Sequence, residues 1–490
     1  MGHINQKESQ VDRFSKLPND ILLNILDQLD VREAARTSVL SKRWRQLPAM
    51  LSRLIIDVNN FLPKGVFKPS IDELVHINLA VVEATRSMLS QRKSNQYIIH
   101  LLRVTFHLRD GDSISIGHTV GHTMTQQNIE TAEFIILTEK ATAKCTGDDL
   151  VGYGKQFMSF FYACPDAFGG LTRLHLKNLR FGELDAPKVL STCKRLRHLL
   201  LHNCDSGAWT ILQFIHSQLI ELSIFSCRFE RIELSWLPKL ARLTFEGWIS
   251  FEDPLFFGYV PVLEVLSLGS TCLSWHKMVT LSKFLDGTSV QDLTLNFKSE
   301  KIWVQPEDPK RLASMFHKLR SVNLIGVPEG YDLTWTMFIL DAAPSLKELY
   351  ITVWDHICEM GMDEERRRAD SCSEKNVEWE GYDFEHQSLT TLTIFNFQPE
   401  DYFVRYIRRV MEVAVNLDDI FLYKRPSCGR CWDKYPGPSR YPSAKKQRCS
   451  LRNKIAQGTG SLAVIHFPAL LRSDHAVKER SARSVCDRPL

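Results

Sequence analysis

The feature that most constrains this chain is a recurring pattern, apolar-x-x-apolar-x-apolar, from residue 171 onward. Leu171, Leu174 and Leu176 open the series, and Leu417, Ile420 and Leu422 close it. Eight further units start at Leu196, Leu219, Leu240, Leu263, Val290, Leu319, Leu346 and Leu389. Successive starts lie 25, 23, 21, 23, 27, 29, 27, 43 and 28 residues apart. Within each unit the alternation places the apolar pair on one face of a strand and its neighbours on the other. One such strand cannot bury its apolar side alone, so units must stack on each other. The expectation is an α/β solenoid, with one short parallel strand per unit over a continuous core.

The period is that of leucine-rich repeats, roughly 20–29 residues. Cys204 and Cys227 lie three residues past the last apolar position, where such repeats place Asn or Cys to bond loop backbone. The open face of the strands is a mixed polar and aromatic strip suited to holding a protein target. His175, His198, Arg242, Asp292, Asn323, Tyr350, Phe395 and Phe421 are its candidate contacts. The single long interval holds a charged insertion, 358–386, whose composition predicts a disordered or mobile loop, with a lid or recognition loop as the alternative. Upstream, 74–89 reads as a helix, and 97–108 and 131–138 read as strands of irregular early repeats. Downstream, 403–412 reads as an amphipathic helix leading into the last strand.

The N-terminal stretch has a different logic. Pro18 suits a first helical position and Asp20 the positive end of the helix dipole. Ile21, Leu22, Ile25, Leu26 and Leu29 then share a helical face. Asp30 is placed to cap a second helix, and Ser41 a third that Pro48 would stop. Three such short helices cannot bury all their apolar side chains among themselves. Part of the set must wait for a partner.

Residues 12–47 resemble an F-box. The resemblance rests on Asp12-Arg13, on Leu17-Pro18, on Ile21-Leu22-x-x-Ile25-Leu26 and on Arg36-Thr-Ser-Val-Leu-Ser-Lys-Arg-Trp-Arg45. Relatives often carry Trp where Pro48 stands here. The wording is similar to that of plant F-box/leucine-rich-repeat proteins, and the region around 403–423 resembles an FBD-type segment. The resemblance implies a three-helix F-box that binds a Skp-type adaptor and, through it, a cullin. The adaptor contacts it implies are drawn from Leu17, Pro18, Ile21, Leu22, Ile25, Leu26, Val39, Leu40 and Trp44, some of which must be internal core. The expected organisation is an F-box at 10–50, a linker with early repeats at 51–165, repeats at 166–425 and a basic extension at 426–490.

Charge adds one fact. Lys plus Arg total 61 and Asp plus Glu 57, yet the stretch from Lys424 onward holds 15 basic and 4 acidic residues. A solvated tail is the expected reading, ahead of one that contacts nucleic acid. The 12 cysteines are scattered, and neither an apolar leader nor a membrane-length apolar run is present. The expectation is a soluble protein of a reducing compartment, nucleus and/or cytoplasm.

Catalytic signatures are weak. Cys428 and Cys431 form one C-x-x-C pair with no second pair, so no zinc site is assigned. His118 and His122 have ligand spacing, but the glycines among them argue against a helix. Gly152-Tyr-Gly-Lys155 lacks the length of a phosphate loop. The expected function is therefore a non-catalytic, cofactor-free substrate-recognition subunit of an SCF-type ubiquitin ligase. The alternatives are a small-molecule-dependent receptor and a repeat scaffold with no role in ubiquitination.

Overall fold

The computed structural model describes residues 17–468 apart from 30, 45, 64–68, 91, 93–97, 208–209, 249–252, 271–277, 301, 355–382 and 425–439. The chain divides into two compact units. One is Met1–Lys177 with Thr192–Leu196, and the other is Asn178–Ser191 with Arg197–Pro489.

The first unit opens with two short helices, α1 (Asn19–Leu26) and α2 (Val31–Arg36). A third helix at 42–47 does not form. Residues 42–44 are turns, and a 3-10 turn spans Leu47–Met50 with Pro48 inside it. Proline is tolerated in the first turn, where its missing N–H has no partner to lose. The Asp30 cap lies outside the described residues.

Four parallel strands follow in chain order: β1 (Arg53–Asp57), β2 (Ile99–His107), β3 (Ile129–Leu137) and β4 (Arg173–Lys177). β2 and β3 fall where strands were expected. β1 was not anticipated, because Arg-Leu-Ile-Ile-Asp is too short to separate from the apolar run before it. The crossovers carry α3 (Ile71–Ser90), α4 (Asp110–Gln126), α5 (Gly147–Ala163) and α6 (Pro165–Gly170).

The glycines near His118 do not break α4. A Cβ on Gly117 would stand 2.5 Å from a Phe160 ring carbon and 2.6 Å from Cys164 Sγ. Glycine is there so that α5 can approach, and burial of that contact outweighs a helix penalty of roughly 1 kcal/mol. Behind it, Phe106, Phe134, Phe160 and Phe168 form a buried ring cluster with centroids 5.0–6.0 Å apart. Gly152 and Lys155 lie within α5 and form no loop.

The second unit begins with α7 (Asp185–Thr192) and then β5 (His198–His202), β6 (Ile211–Ile215), β7 (Glu221–Phe225), β8 (Arg231–Trp236), β9 (Arg242–Trp248) and β10 (Leu255–Tyr259). It continues with β11 (Val265–Ser270), β12 (Val279–Thr280), β13 (Asp292–Asn296), β14 (Val304–Gln305), β15 (Ser321–Val327), β16 (Glu348–Val353), β17 (Thr391–Phe395), β18 (Asp419–Leu422) and β19 (Val464–His466). A long parallel ladder runs β5-β7-β9-β11-β13-β15-β16-β17-β18-β19. Nine of the ten sequence units supply β5, β7, β9, β11, β13, β15, β16, β17 and β18, and the Leu171 unit supplies β4 of the first compact unit. The two inward apolar positions of each strand are buried. The return segments hold a second parallel sheet, β6-β8-β10, which no repeat rule predicts.

The turn out of several strands is fixed by a left-handed residue two places after the last core position. Asn203, Ser226, Gly247, Gly326 and Asn396 have φ between 50° and 74°. Asn and Gly tolerate this conformation best. Asn203 Nδ2 donates to Asn178 Oδ1 at 2.8 Å, and its backbone N donates to the Phe225 carbonyl at 2.9 Å. One residue on, Cys227 Sγ accepts from Cys204 N at 3.3 Å and donates to the Phe225 carbonyl at 3.4 Å. These cysteines serve the loop backbone, as their positions suggested. Burial raises the Cys227 thiol well above its ordinary range.

Most of the charged insertion lies outside the described residues. Its last residue, His386, is not solvated. It is 2% exposed, and its Nε2 bonds the Ala343 carbonyl at 2.9 Å. The helix Asp401–Val413 buries Phe403, Tyr406, Ile407 and Val410. The segment read as a basic extension includes a helix, Lys445–Ala456, and β19. Leu451 and Ile455 are buried, Arg452 Nε donates to the Ile465 carbonyl at 2.9 Å, and the Arg452 guanidinium sits 5.2 Å from the Phe467 ring. Arg448 and Arg452 thus lie against the Phe467 ring beside the last strand, which a charge count cannot reveal.

Candidate functional site

Two surfaces carry the residues singled out by sequence. The first is the N-terminal helical module. Leu22 and Leu26 on α1 are buried, as are Val31, Ala34, Trp44 and Leu47. These form its own small core. Ile21 and Ile25, one turn apart on α1, stay 41% and 38% exposed. Val39 and Leu40, in the turn after α2, are 83% and 65% exposed. Pro18 is exposed and Leu17 half-buried. The nine candidate contacts therefore divide. Leu22, Leu26 and Trp44 hold the module together, Ile21, Ile25, Val39, Leu40 and Pro18 face outward, and Leu17 is half-buried between the two sets.

Polar bonds fix that arrangement. Arg43 donates to Asn19 Oδ1 from Nε (2.9 Å) and Nη2 (2.7 Å), and from Nη2 to the Leu17 carbonyl (2.5 Å). It ties the segment after α2 to the start of α1. Ser41 Oγ accepts from Trp44 N at 3.3 Å, which makes Ser41 a cap of a single turn. In the sequence Arg43 is one residue of the F-box-like run. Its clamp had no sequence signal of its own, because the partners lie 24 and 26 residues away.

The second surface is the open face of the parallel strands. His175, in the first unit, is only 5% exposed and offers little to a partner. The other seven candidates lie in the second unit. The strand registers sort them into rows. One row runs His198, Glu221, Arg242, Val265, Asp292, Ser321, Glu348, Thr391, Asp419. The next includes Asn323, Tyr350, Thr393, Phe421 and His466.

At one end Glu221 bridges His198 Nδ1 (3.2 Å) and Arg242 Nη2 (3.1 Å). The His198 bond first, and Arg242 with it, hold its carboxyl down to about 2 against the opposing effect of burial. At the other end rings gather. Phe395 stacks on Tyr423 at 5.0 Å, and Phe421 on His466 at 4.7 Å. Tyr350 Oη donates to Glu348 Oε2 at 2.8 Å. Glu348 and Tyr423 lie on the strip that the repeat pattern outlines; Glu221 and His466 were not among its candidates, and cross-strand register brings them in.

No group of three or more His, Cys, Asp and Glu arranged for a metal occurs among the described residues. His118 and His122 are exposed on α4. Cys428 and Cys431 lie outside the described residues. No helix among the described residues is long and apolar enough to cross a membrane.

Two family models match the chain. Residues 14–55 match the F-box domain model, and residues 163–456 match the model described as At1g61320/AtMIF1, LRR domain. The chain is 26% identical to the F-box/LRR-repeat protein At3g58980 of Arabidopsis thaliana over 264 residues, which is 50% of this chain and 41% of that protein. It is 25% identical to the Arabidopsis F-box/FBD/LRR-repeat protein At3g52680 over 372 residues, 70% of this chain and 71% of that one. Over 52 residues, 11% of this chain and 16% of the relative, it is 54% identical to the Arabidopsis F-box/LRR-repeat protein At3g58900. With an F-box at its start and a repeat model spanning more than half its length, the chain belongs to the plant-type F-box/leucine-rich-repeat proteins.

Proposed function

We propose that this protein is the substrate-recognition subunit of an SCF-type ubiquitin ligase, acting in the nucleus and/or cytoplasm. Its F-box holds a Skp-type adaptor and, through it, a cullin. Its repeats hold the protein target on the open strand face. The observation that carries the reading is the apolar set Ile21, Ile25, Val39 and Leu40, left exposed over a buried Leu22–Leu26–Trp44 core. Exposed apolar side chains grouped in this way fit burial against a partner.

In this reading the chain performs no covalent chemistry. It raises the effective concentration of a target lysine beside a ubiquitin-charged enzyme brought by other subunits. The test is co-purification with a Skp-type adaptor, wild type beside Leu17→Ala/Pro18→Ala. Both changes leave the Leu17 and Pro18 carbonyls, which accept from Arg43 and Leu22, in place. The wild type is expected to retain the adaptor and the double variant to lose it. A folded wild type that retains none overturns the proposal.

A further inference from the structure

The open face of the second unit is chemically lopsided. Among the described strand residues that share its rows, the carboxylates are Glu221, Glu246, Asp292, Glu348 and Asp419, against the single arginine 242. Arg242 is already held by Glu221. The C-terminal end, β16 to β19, adds rings. Tyr350, Thr393, Phe421 and His466 are aligned across the four strands; Tyr350 and Thr393 are buried, and Phe421 and His466 half-buried. Phe395 and Tyr423 stand in the row beside them and stack with planes 24° apart.

Rings stacked from strand to strand stand upright on the sheet, so they present edges, not faces, to an incoming molecule. Phe395, Phe421 and Tyr423 are each half-buried. Glu348 and Asp419 lie one row over, fixed by Tyr350 Oη at 2.8 Å and His466 Nε2 at 2.6 Å. β16 and β18 are two strand spacings apart, so these carboxylates sit roughly 10 Å from each other along the row.

Resting on the reading that this face takes the target, we infer that the part of the target docked on β16–β19 is a cationic segment. Its lysine or arginine stems lie along the edges of Phe395, Phe421 and Tyr423, and its head groups reach Glu348 and Asp419. Long basic side chains suit such a surface because their methylene stems are apolar and only their tips are charged. An acidic segment would meet like charge at Glu348 and Asp419, which costs affinity and rejects it.

The experiment uses the full chain purified with its adaptor. The probe is a fluorescein-labelled decapeptide alternating Gly and Arg, with an alternating Gly and Glu peptide as counterpart, read by anisotropy at two salt concentrations. The Arg peptide is expected to bind, more weakly at the higher salt, and the Glu peptide to remain unbound. Glu348→Gln/Asp419→Asn should weaken Arg-peptide binding at least tenfold, and Phe421→Ala several-fold, with unchanged circular dichroism. Arg-peptide binding within twofold of wild type in the double amide variant overturns the inference, as does equal binding of the Glu peptide. Loss of the adaptor during purification would instead overturn the ligase reading and leave the peptide result standing.

Discussion

Truncating Val39 and Leu40 to alanine separates adhesive from structural residues in the F-box. Both side chains are largely bare, 83% and 65% exposed, so the isolated protein loses almost nothing when they are cut back. Val39→Ala removes two carbons and Leu40→Ala three, each worth about 0.8 kcal/mol when buried. Scaled by the exposure that a partner would cover, the losses are about 1.3 and about 1.6 kcal/mol. Together, about 3 kcal/mol corresponds to roughly a hundredfold weaker adaptor affinity. Calorimetric titration of a Skp-type adaptor into wild type and double variant measures this, with thermal melting as the control for folding. Leu22→Ala is the counterpart. Leu22 is fully buried, so its truncation should cost about 2–5 kcal/mol of module stability and lose adaptor binding only through unfolding. A Val39→Ala/Leu40→Ala protein that binds within threefold of wild type would refute the assignment of this face to the adaptor.

Two further outcomes test the repeats. His107, 4% exposed on β2, has its pKa pushed down to about 4, chiefly by burial, with Lys177 and Arg109 adding to the fall and a bond to the Thr138 backbone opposing it. The unfolded chain therefore takes up this proton first. Stability is complete above the ordinary pKa near 6.5 and is lost as pH falls toward 4, by about 2 kcal/mol at pH 5. Hydrogen exchange of β2 and β3 amides at pH 7 and pH 5 should show the loss in wild type and a flatter profile in His107→Gln. In the second unit, Asn203→Ala removes a side-chain bond to Asn178 and places alanine at φ 52°, so β5 and β7 amides should lose about 1–3 kcal/mol of protection. Asn203→Gly, which keeps the conformation and loses only the bond, should fall between the two.

The strands were legible because their code is local. Two apolar residues separated by one position can share a face only in an extended chain, and ten such units in series leave stacking as the one way to bury them. The F-box was legible as a motif, but its two faces were not. Ile21, Leu22, Ile25 and Leu26 are equally apolar, and α1 is too short for periodicity to say which pair turns inward. Packing against residues distant in the chain decides it: Leu22 and Leu26 are buried, while Arg43, 24 residues away, holds Asn19 at the helix start. The same limit hid the helix around His118. Glycine reads as a helix breaker until Phe160 and Cys164 occupy the space that a Cβ would need.

The sequence by itself determined that this protein is a stack of parallel strands behind a sticky helical module, because alternation and period are properties of the chain. The tertiary structure alone decided which residues meet across strands. Glu221 between His198 and Arg242, Tyr350 on Glu348, and Phe421 against His466 are neighbours only through register. Register is set by how successive turns close, several of them on a left-handed residue, and the distance between partners along the chain carries no record of it.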